Sequence, residues 1–434
     1  MSDPGEYERA VATARDADLA RAEFLEHEFE TYALMRRHVP IARNCGTGSI
    51  AGSDIAQAER WVLTRYDHCR EVLRNPSTFS SRAGTYPRVP IPQGVDPPAH
   101  TAYRDVLNGW FSPAAMARLE DRLHAQADQL LDAMLREREF DFVAGFADPF
   151  PTVIFCELMG FPAQDYVRIM QWKNILMHAA DGHPEGHALA LARGREMGLD
   201  LPDRAPIPDE AGQQIRFSVH QELYAYFARL IKERRAAPGE DLISRMIAAR
   251  YEGARPLSQE ELEDTIFLLF MAGLDTVASA LGLIIRTFAM RPDKRREFVA
   301  LLDGDPHRLG LAIEELVRYH AIVILPRRVT RPLDFHGASF AGEDIVFVPT
   351  QAANRDPEEF ESPDDLRWDR MPNRHMGFGL GPHRCLGIHL ARRELRIALQ
   401  AFHRRLPDYA LHPQRPPVLY GGMKGAASVW LVKS

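Results

Sequence analysis

The residue of this chain best suited to chemistry is a cysteine in a glycine-rich bend. Cys385 lies in the stretch 378–387, which reads FGLGPHRCLG and precedes a strongly helical run. Gly379 and Gly381 allow backbone turns that a side chain would block, and Gly387 lets a large group approach the following helix. A thiolate just before a helix N-terminus is stabilised by unpaired amides and by the helix dipole. This arrangement suits the axial ligand of an iron porphyrin, although a lone cysteine in such a turn is usually structural.

A second candidate for chemistry is an acid beside an alcohol in an otherwise apolar segment. Asp275 is the one charged residue of 265–285, and Thr276 follows it. The segment is long enough to span a membrane, but a central charge is costly in lipid, so we predict a buried central helix. An acid can fetch protons there and a hydroxyl can orient water. The alternative is a polar kink that satisfies its own hydrogen bonds.

Two charged pairs have helical spacing. His100 and Arg104 are four residues apart and share a helix face, and Glu315 and Arg318 are three apart. A solvent-exposed cationic face and a weak surface ion pair are the ordinary interpretations.

The elements that position these residues are mainly helices. Helical periodicity dominates the chain, and alternation typical of strands is confined mainly to about 39–66, 323–351 and 413–434. We therefore predict a mainly α fold with a small β region (α+β), in a single domain over 1–434.

Composition excludes several classes of protein. The net charge of -7 argues against nucleic acid as a partner and against a polybasic membrane anchor. The four cysteines contain no CxxC pair, which indicates a reducing, cytoplasmic environment without structural disulfides. The N-terminus lacks the basic and apolar regions of a secretory signal.

The motifs together resemble the cytochrome P450 superfamily. The stretch 378–387 matches its haem-binding loop at every fixed position, DPP at 96–98 precedes His100-x-x-x-Arg104, and AGLDT at 272–276 matches the central-helix motif. Glu315-x-x-Arg318 matches a buried core pair that Arg370 would complete. The sequences of the stretches 274–277, 334–337 and 389–394 look like the corresponding sequences of the bacterial camphor 5-monooxygenase-like group.

The resemblance implies a P450 fold with a long central helix over haem b. It implies a soluble bacterial monooxygenase that inserts one oxygen atom of O₂ into a C–H bond of a hydrophobic terpenoid-like or aromatic molecule. Electrons would come from NAD(P)H through a reductase and a [2Fe-2S] ferredoxin to a monomeric, cytoplasmic enzyme without a membrane anchor. The alternatives are a peroxygenase that uses H₂O₂, which the acid–alcohol pair argues against, and a haem-based binder or sensor.

The resemblance also assigns roles to individual residues. Cys385 would ligate the iron, and Asp275 with Thr276 would deliver protons. The propionates would be held by His100, Arg104, His383 and a strand arginine, Arg327 or its neighbour Arg328. The other residues expected at the cofactor are Ala272, Phe378, Gly379 and Gly387.

The resemblance further outlines a substrate pocket. Its walls would be Leu268, Met271, Val323, Gly422 and Met423. Arg88 takes the position of the tyrosine that holds the camphor ketone, and Tyr86 is two residues away. Camphor is therefore not the expected substrate. The substrate is instead expected to carry an acidic or otherwise different polar group.

The stretch 181–213 is expected to be irregular. Its glycines and prolines interrupt helices, and loops of this length are usually functional or disordered. It is interpreted either as a lid over the substrate or as a surface insertion. His178, Asp181 and His183, together with Glu185 and His187, are interpreted as part of a solvated loop rather than a metal site.

Overall fold

The computed structural model describes residues 4–19, 22–44, 59–83, 87–179, 181–201 and 207–433. Helices dominate, as predicted. They are α1 Pro4–Asp16, α2 Ala22–Leu25, α3 Glu28–His38, α4 Tyr66–Arg74, α5 Ala99–Asn108, α6 Pro113–Ala117, α7 Glu120–Met134, α8 Pro149–Met159, α9 Tyr166–His178, α10 Pro184–Glu196, α11 Asp209–Ala236, α12 Leu242–Ala248, α13 Gln259–Gly273, α14 Thr276–Met290, α15 Pro292–Val299, α16 Pro306–Tyr319, α17 Thr350–Ala353 and α18 Ile388–Arg405.

The strands are short and lie mostly where alternation predicts them. They are β1 Ile41–Arg43, β2 Arg60–Leu63, β3 Phe79–Ser80, β4 Glu139–Asp141, β5 Arg250–Tyr251, β6 Arg255–Pro256, β7 Ile324–Val329, β8 Leu333–Phe335, β9 Ala338–Phe340, β10 Ile345–Pro349, β11 Tyr409–Leu411, β12 Val418–Tyr420, β13 Gly425–Ser428 and β14 Trp430–Lys433. The largest sheet has the order β1-β2-β10-β7-β3, and only its β2–β10 pair is parallel.

The central apolar segment is a core helix with an interruption. A capping box starts α13, because Ser258 and Glu261 each accept a hydrogen bond from the other's backbone amide. The stretch Gln259–Met290 is long and apolar enough to cross a membrane, but 67% of its most apolar window is buried inside the protein. This burial is typical of the core helix of a globular protein.

One continuous helix was predicted, but the structure breaks it between Gly273 and Thr276. At Gly273, α13 packs so tightly on the Phe155 ring that a Cβ would overlap the ring. Leu274 and Asp275 lie in the break, and the carboxylate of Asp275 points to buried partners on α9.

A buried charged triad ties α16 to a later loop. Arg318 and Glu315 are fully buried and form a bidentate ion pair, in which both N···O distances are 2.8 Å. Arg370 reaches the same carboxylate at 3.0 Å, as its expected role in the core pair requires. Loss of one member would leave its partners charged and unpaired in the core.

The stretch 181–213 is not irregular as predicted. It contains α10, which begins with Pro184 in the first turn and with His183 as its cap, since His183 Nδ1 accepts from the Gly186 amide at 3.3 Å. Proline at a first turn favours a helix rather than breaking one. Residues 202–206 lie outside the described part.

Candidate active site

A cavity of about 860 Å³ lies between the central helix and the cysteine loop. Cys385 lines one wall and Thr276 lines the other. The five apolar or small residues predicted as pocket walls all line it: Leu268, Met271, Val323, Gly422 and Met423.

The cysteine loop is shaped by backbone that only glycine accepts easily. Gly379 and Gly381 have φ values of 67° and 73°, and a Cβ on Gly381 would overlap the carbonyl of Leu73. The amide of Cys385 donates to the carbonyl of Phe378 at 2.9 Å, which closes the loop.

Gly387 needs a different explanation. Its φ of -82° suits any residue, and a Cβ there would meet no atom of the described residues within 4 Å. Because Gly387 lines the cavity, a side chain would project into the space above the cysteine loop. A group that fills this space and lies against the backbone accounts for the glycine.

Buried nitrogens at the edge of the cavity lack partners. Nδ1 of His100 and both ring nitrogens of His383 make no hydrogen bond within the described protein, and the two rings are 4.1 Å apart. Burial lowers the pKa of His100 to about 4 and that of His383 to about 3. Arg327 is 2% exposed and donates to the carbonyl of its neighbour Pro326.

Buried polar nitrogens normally have a hydrogen-bond partner, and a carboxylate can accept from imidazole N–H groups and from a guanidinium. Arg328, the alternative to Arg327, instead points outward and pairs with Glu343 at 2.7 Å. His100, His383 and Arg327, with Arg104 on the cavity wall, therefore fit the two propionates of a haem.

Behind Thr276 lies a buried ionic network. Asp275 is 1% exposed, and its Oδ1 accepts from Lys173 Nζ at 2.7 Å and from His178 Nε2 at 3.1 Å. His178 Nδ1 lies 2.7 Å from Asp181 Oδ2, and Asp181 lines the cavity. Because each ring nitrogen of His178 faces a carboxylate, both donate and the ring is an imidazolium.

The electrostatics agree with this assignment. Burial would lower the pKa of His178, but Asp275 and Asp181 outweigh burial and raise it to about 9. Burial would raise the pKa of Asp275, but Lys173 and His178 hold it well below its usual range. Asp275 is thus an ionised carboxylate, and the protons of this network reside on Lys173 and His178.

This network corrects the solvated-loop interpretation for three of its five residues, whereas Glu185 is exposed and His187 is half-buried. His178 is 1% exposed, Asp181 8% and His183 6%, so all three are buried. The sequence signal was the dense run of titratable residues directly after an apolar helix. Lys173 was missed entirely, because one lysine among helical residues resembles any surface lysine. No group of three or more metal-ligating side chains was found among the described residues.

The geometry agrees with comparisons with known proteins. The family model described as "Cytochrome P450" matches residues 35–298 and 309–415. The chain belongs to the cytochrome P450 family.

Several bacterial P450s are similar to this chain. It is 33% identical over 369 residues to the probable cytochrome P450 127A1 of Sinorhizobium fredii, covering 83% of this chain and 80% of that protein. It is 32% identical over 368 residues to the polyketide biosynthesis cytochrome P450 PksS of Bacillus subtilis, covering 81% and 82%. The PksS structure superposes with a TM-score of 0.77 at 30% identity, over 96% of this chain and 99% of that one.

The structure of CYP101J2 is also similar, with a TM-score of 0.75 and 26% identity over 94% of this chain and 93% of that one. The superfamily, the bacterial soluble class and the P450 fold predicted from the sequence are therefore confirmed. The chain is a haem-thiolate monooxygenase.

In this P450, Thr276 faces the cavity. It lines the wall, and its hydroxyl donates to the carbonyl of Ala272 at 3.2 Å, which leaves the oxygen able to accept from a molecule in the cavity. Ala272 also lines the cavity, as do Phe378 and Gly379.

Arg88 is not at the P450 pocket wall as predicted. Its guanidinium pairs with Glu263 and Asp264, both at 2.7 Å, and lies over the Tyr224 ring, 4.4 Å from its centre. These partners are about 175 residues away in sequence, so alignment alone could not reveal them. Tyr86, the alternative, lies outside the described residues.

Proposed function

We propose that this P450 hydroxylates an apolar small molecule with electrons from NAD(P)H. One C–H bond, one O₂, two electrons and two protons give one alcohol and one water. The single domain 1–434 is proposed to act as a cytoplasmic monomer. A reductase and a [2Fe-2S] ferredoxin are the proposed electron donors.

One observation supports this reaction above all others. Cys385 and Thr276 line the same largely apolar cavity, and the buried carboxylate of Asp275 lies behind Thr276. A thiolate on one side and a proton-handling pair on the other are what O₂ activation in a dry site requires.

The haem, when bound, supplies the activation of O₂ for insertion into the C–H bond. Cys385 would hold the iron, and Ala272, Phe378, Gly379 and Gly387 would border the ring. His100, Arg104, Arg327 and His383 would hold the propionates.

Proton delivery is assigned to Thr276 and the network behind it. Thr276 orients water in the cavity through its hydroxyl. Asp275 accepts protons from His178 and Lys173 and passes them to that water, because its carboxylate is ionised and hydrogen-bonded to both donors. His178 regains its proton through Asp181, which lines the cavity and would take that proton from water before passing it to the hydrogen-bonded imidazole.

The experiment that tests this proposal replaces Thr276 by alanine. Thr276→Ala should keep NADH oxidation in the presence of a ferredoxin and reductase but divert most of it to H₂O₂, because water is no longer oriented. Product and peroxide formed per NADH are measured, and the CO difference spectrum confirms that the haem-thiolate centre is intact.

Thr265→Ala is a matched control. The Thr265 hydroxyl also donates to the carbonyl four residues earlier, at 2.7 Å, but it is buried and does not line the cavity. Product per NADH in Thr276→Ala equal to that in Thr265→Ala would contradict the relay. Product from H₂O₂ alone would instead identify a peroxygenase, and no product under either condition would identify a binder or sensor.

A further inference from the structure

The charges on the cavity wall are unevenly distributed. Among the described lining residues, the arginines are Arg104, Arg216 and Arg384, and the carboxylates are Asp181 and Glu394. Arg104 and Arg384 belong to the cysteine side, where Arg104 donates to the Arg384 carbonyl at 2.8 Å. Arg216 is the arginine on the opposite, substrate-facing side.

The carboxylates of the wall do not neutralise Arg216. Asp181 is engaged by His178 at 2.7 Å and by the His183 amide at 3.0 Å. Burial raises the pKa of Glu394 to about 8, so this residue is uncharged at neutral pH. In the described part of the chain, Arg216 has no carboxylate within ion-pairing distance.

Arg88, which packs on Tyr224 of the same helix, cannot perform the same task. Arg88 is held by two carboxylates, so its charge is already balanced. A substrate anion would have to displace both carboxylates to reach it. Arg216 requires no such displacement.

Arg216 belongs to a polar stripe on one face of α11. Gln213, Arg216 and His220 are spaced i, i+3 and i+7 on that helix, and all three line the cavity. Burial and the nearby Arg216 lower the pKa of His220 to about 4, so the imidazole is neutral. The stripe therefore offers amide and imidazole hydrogen bonds around a single positive charge.

The facing wall is apolar. Leu268, Leu269 and Met271 of α13 line the cavity, and Leu176 and Met177 of α9 continue this surface. His220 packs on Phe267 of α13, with ring centres 4.5 Å apart, which fixes the polar stripe beside the apolar wall. The chamber is thus amphipathic.

We propose that Arg216 selects an apolar substrate that carries a carboxylate, which pairs with the guanidinium while the apolar body lies against α13. This inference rests on the monooxygenase function proposed above. A carboxylate matches the planar guanidinium with two parallel hydrogen bonds, and Gln213 can donate a third.

The test compares each acid with its methyl ester in the holoenzyme. Dodecanoate has a linear apolar part, and adamantane-1-acetate has a polycyclic one. The affinity for each ligand is measured from the substrate-induced high-spin shift of the haem absorption band. At least one acid should bind wild type about tenfold more tightly than its ester, the value expected for a charged hydrogen bond. Arg216→Gln should remove this preference without weakening the ester, and Arg216→Lys should restore part of it.

Arg235→Ala is the matched control, since Arg235 is an exposed arginine of the same helix. Acids that bind no better than their esters to wild type, or an equal loss of acid and ester binding in Arg216→Gln, would overturn the inference. In both cases an intact CO band and coupled turnover would leave the proposed function standing. Loss of turnover in wild type with every electron donor would count against that function instead.

Discussion

At the scale of single residues, the main feature of this P450 is an imidazolium in the core. His178 is held between two carboxylates, and Lys173 adds a second buried cation beside Asp275. Two positive and two negative charges together make a neutral cluster. Permanent removal of one charge destabilises such a cluster, because it leaves the others unpaired in the core.

The pH dependence of stability should reveal this residue. Since folding raises the pKa of His178 from 6.5 to about 9, its contribution is fully present below pH 6.5 and disappears as pH rises through 9. The contribution is on the order of 3 kcal/mol. Wild type should therefore lose more thermal stability between pH 6.5 and 9.5 than His178→Gln does.

His307→Gln provides the comparison, since His307 is exposed at the start of α16. It should follow the wild-type profile. Parallel stability profiles for wild type and His178→Gln would show that His178 is not charged in the folded protein.

At the scale of elements, close approach of backbone shapes both walls of the site. Gly273 lets α13 rest on the Phe155 ring just before the helix breaks, and Gly381 lets the cysteine loop rest on the Leu73 carbonyl. Gly387 differs from both, because no atom of the described residues lies within 4 Å of the place that its Cβ would take. The first two glycines serve the protein's own packing, whereas the third is proposed to serve the cofactor.

Alanine at Gly381 and at Gly387 should therefore have different effects. Gly381→Ala forces a positive φ on alanine and overlaps a carbonyl, so it should cost about 1–3 kcal/mol of folding free energy even without haem. Gly387→Ala should leave the haem-free protein as stable as wild type but weaken haem retention. Denaturant unfolding and the haem-to-protein ratio after gel filtration measure the two effects. Full haem retention in Gly387→Ala would mean that the cofactor does not approach this backbone.

At the scale of the whole molecule, the charge of the surface is not uniform. The net charge is -7, yet exposed Arg384 adjoins Cys385, and Arg104 lies against it. A local positive area steers an acidic partner even on an acidic protein, and the effect weakens with salt. The face at the cysteine loop is thus the proposed entry point for electrons.

Charge reversal at Arg384 tests this docking face. Arg384→Glu should slow reduction by an acidic ferredoxin at low ionic strength, and the difference from wild type should shrink as salt is added. Substrate affinity should not change. The Arg235→Glu variant, changed on the helix that lines the opposite side of the cavity, should be reduced by the ferredoxin at the wild-type rate. Equal reduction rates for both variants at low salt would place the docking face elsewhere.

The sequence by itself determined the fold class and the local motifs of this protein. The cysteine loop, His100 with Arg104, and Asp275 with Thr276 are each encoded within about ten residues, where backbone geometry and helical spacing fix which side chains lie together. Five of the six predicted pocket residues also line the cavity. Tertiary structure alone decided which charges pair. Lys173 meets Asp275 from 102 residues away, and Arg88 meets Glu263 from 175. Such ion pairs depend on how helices pack, and helical spacing within one segment does not specify that packing.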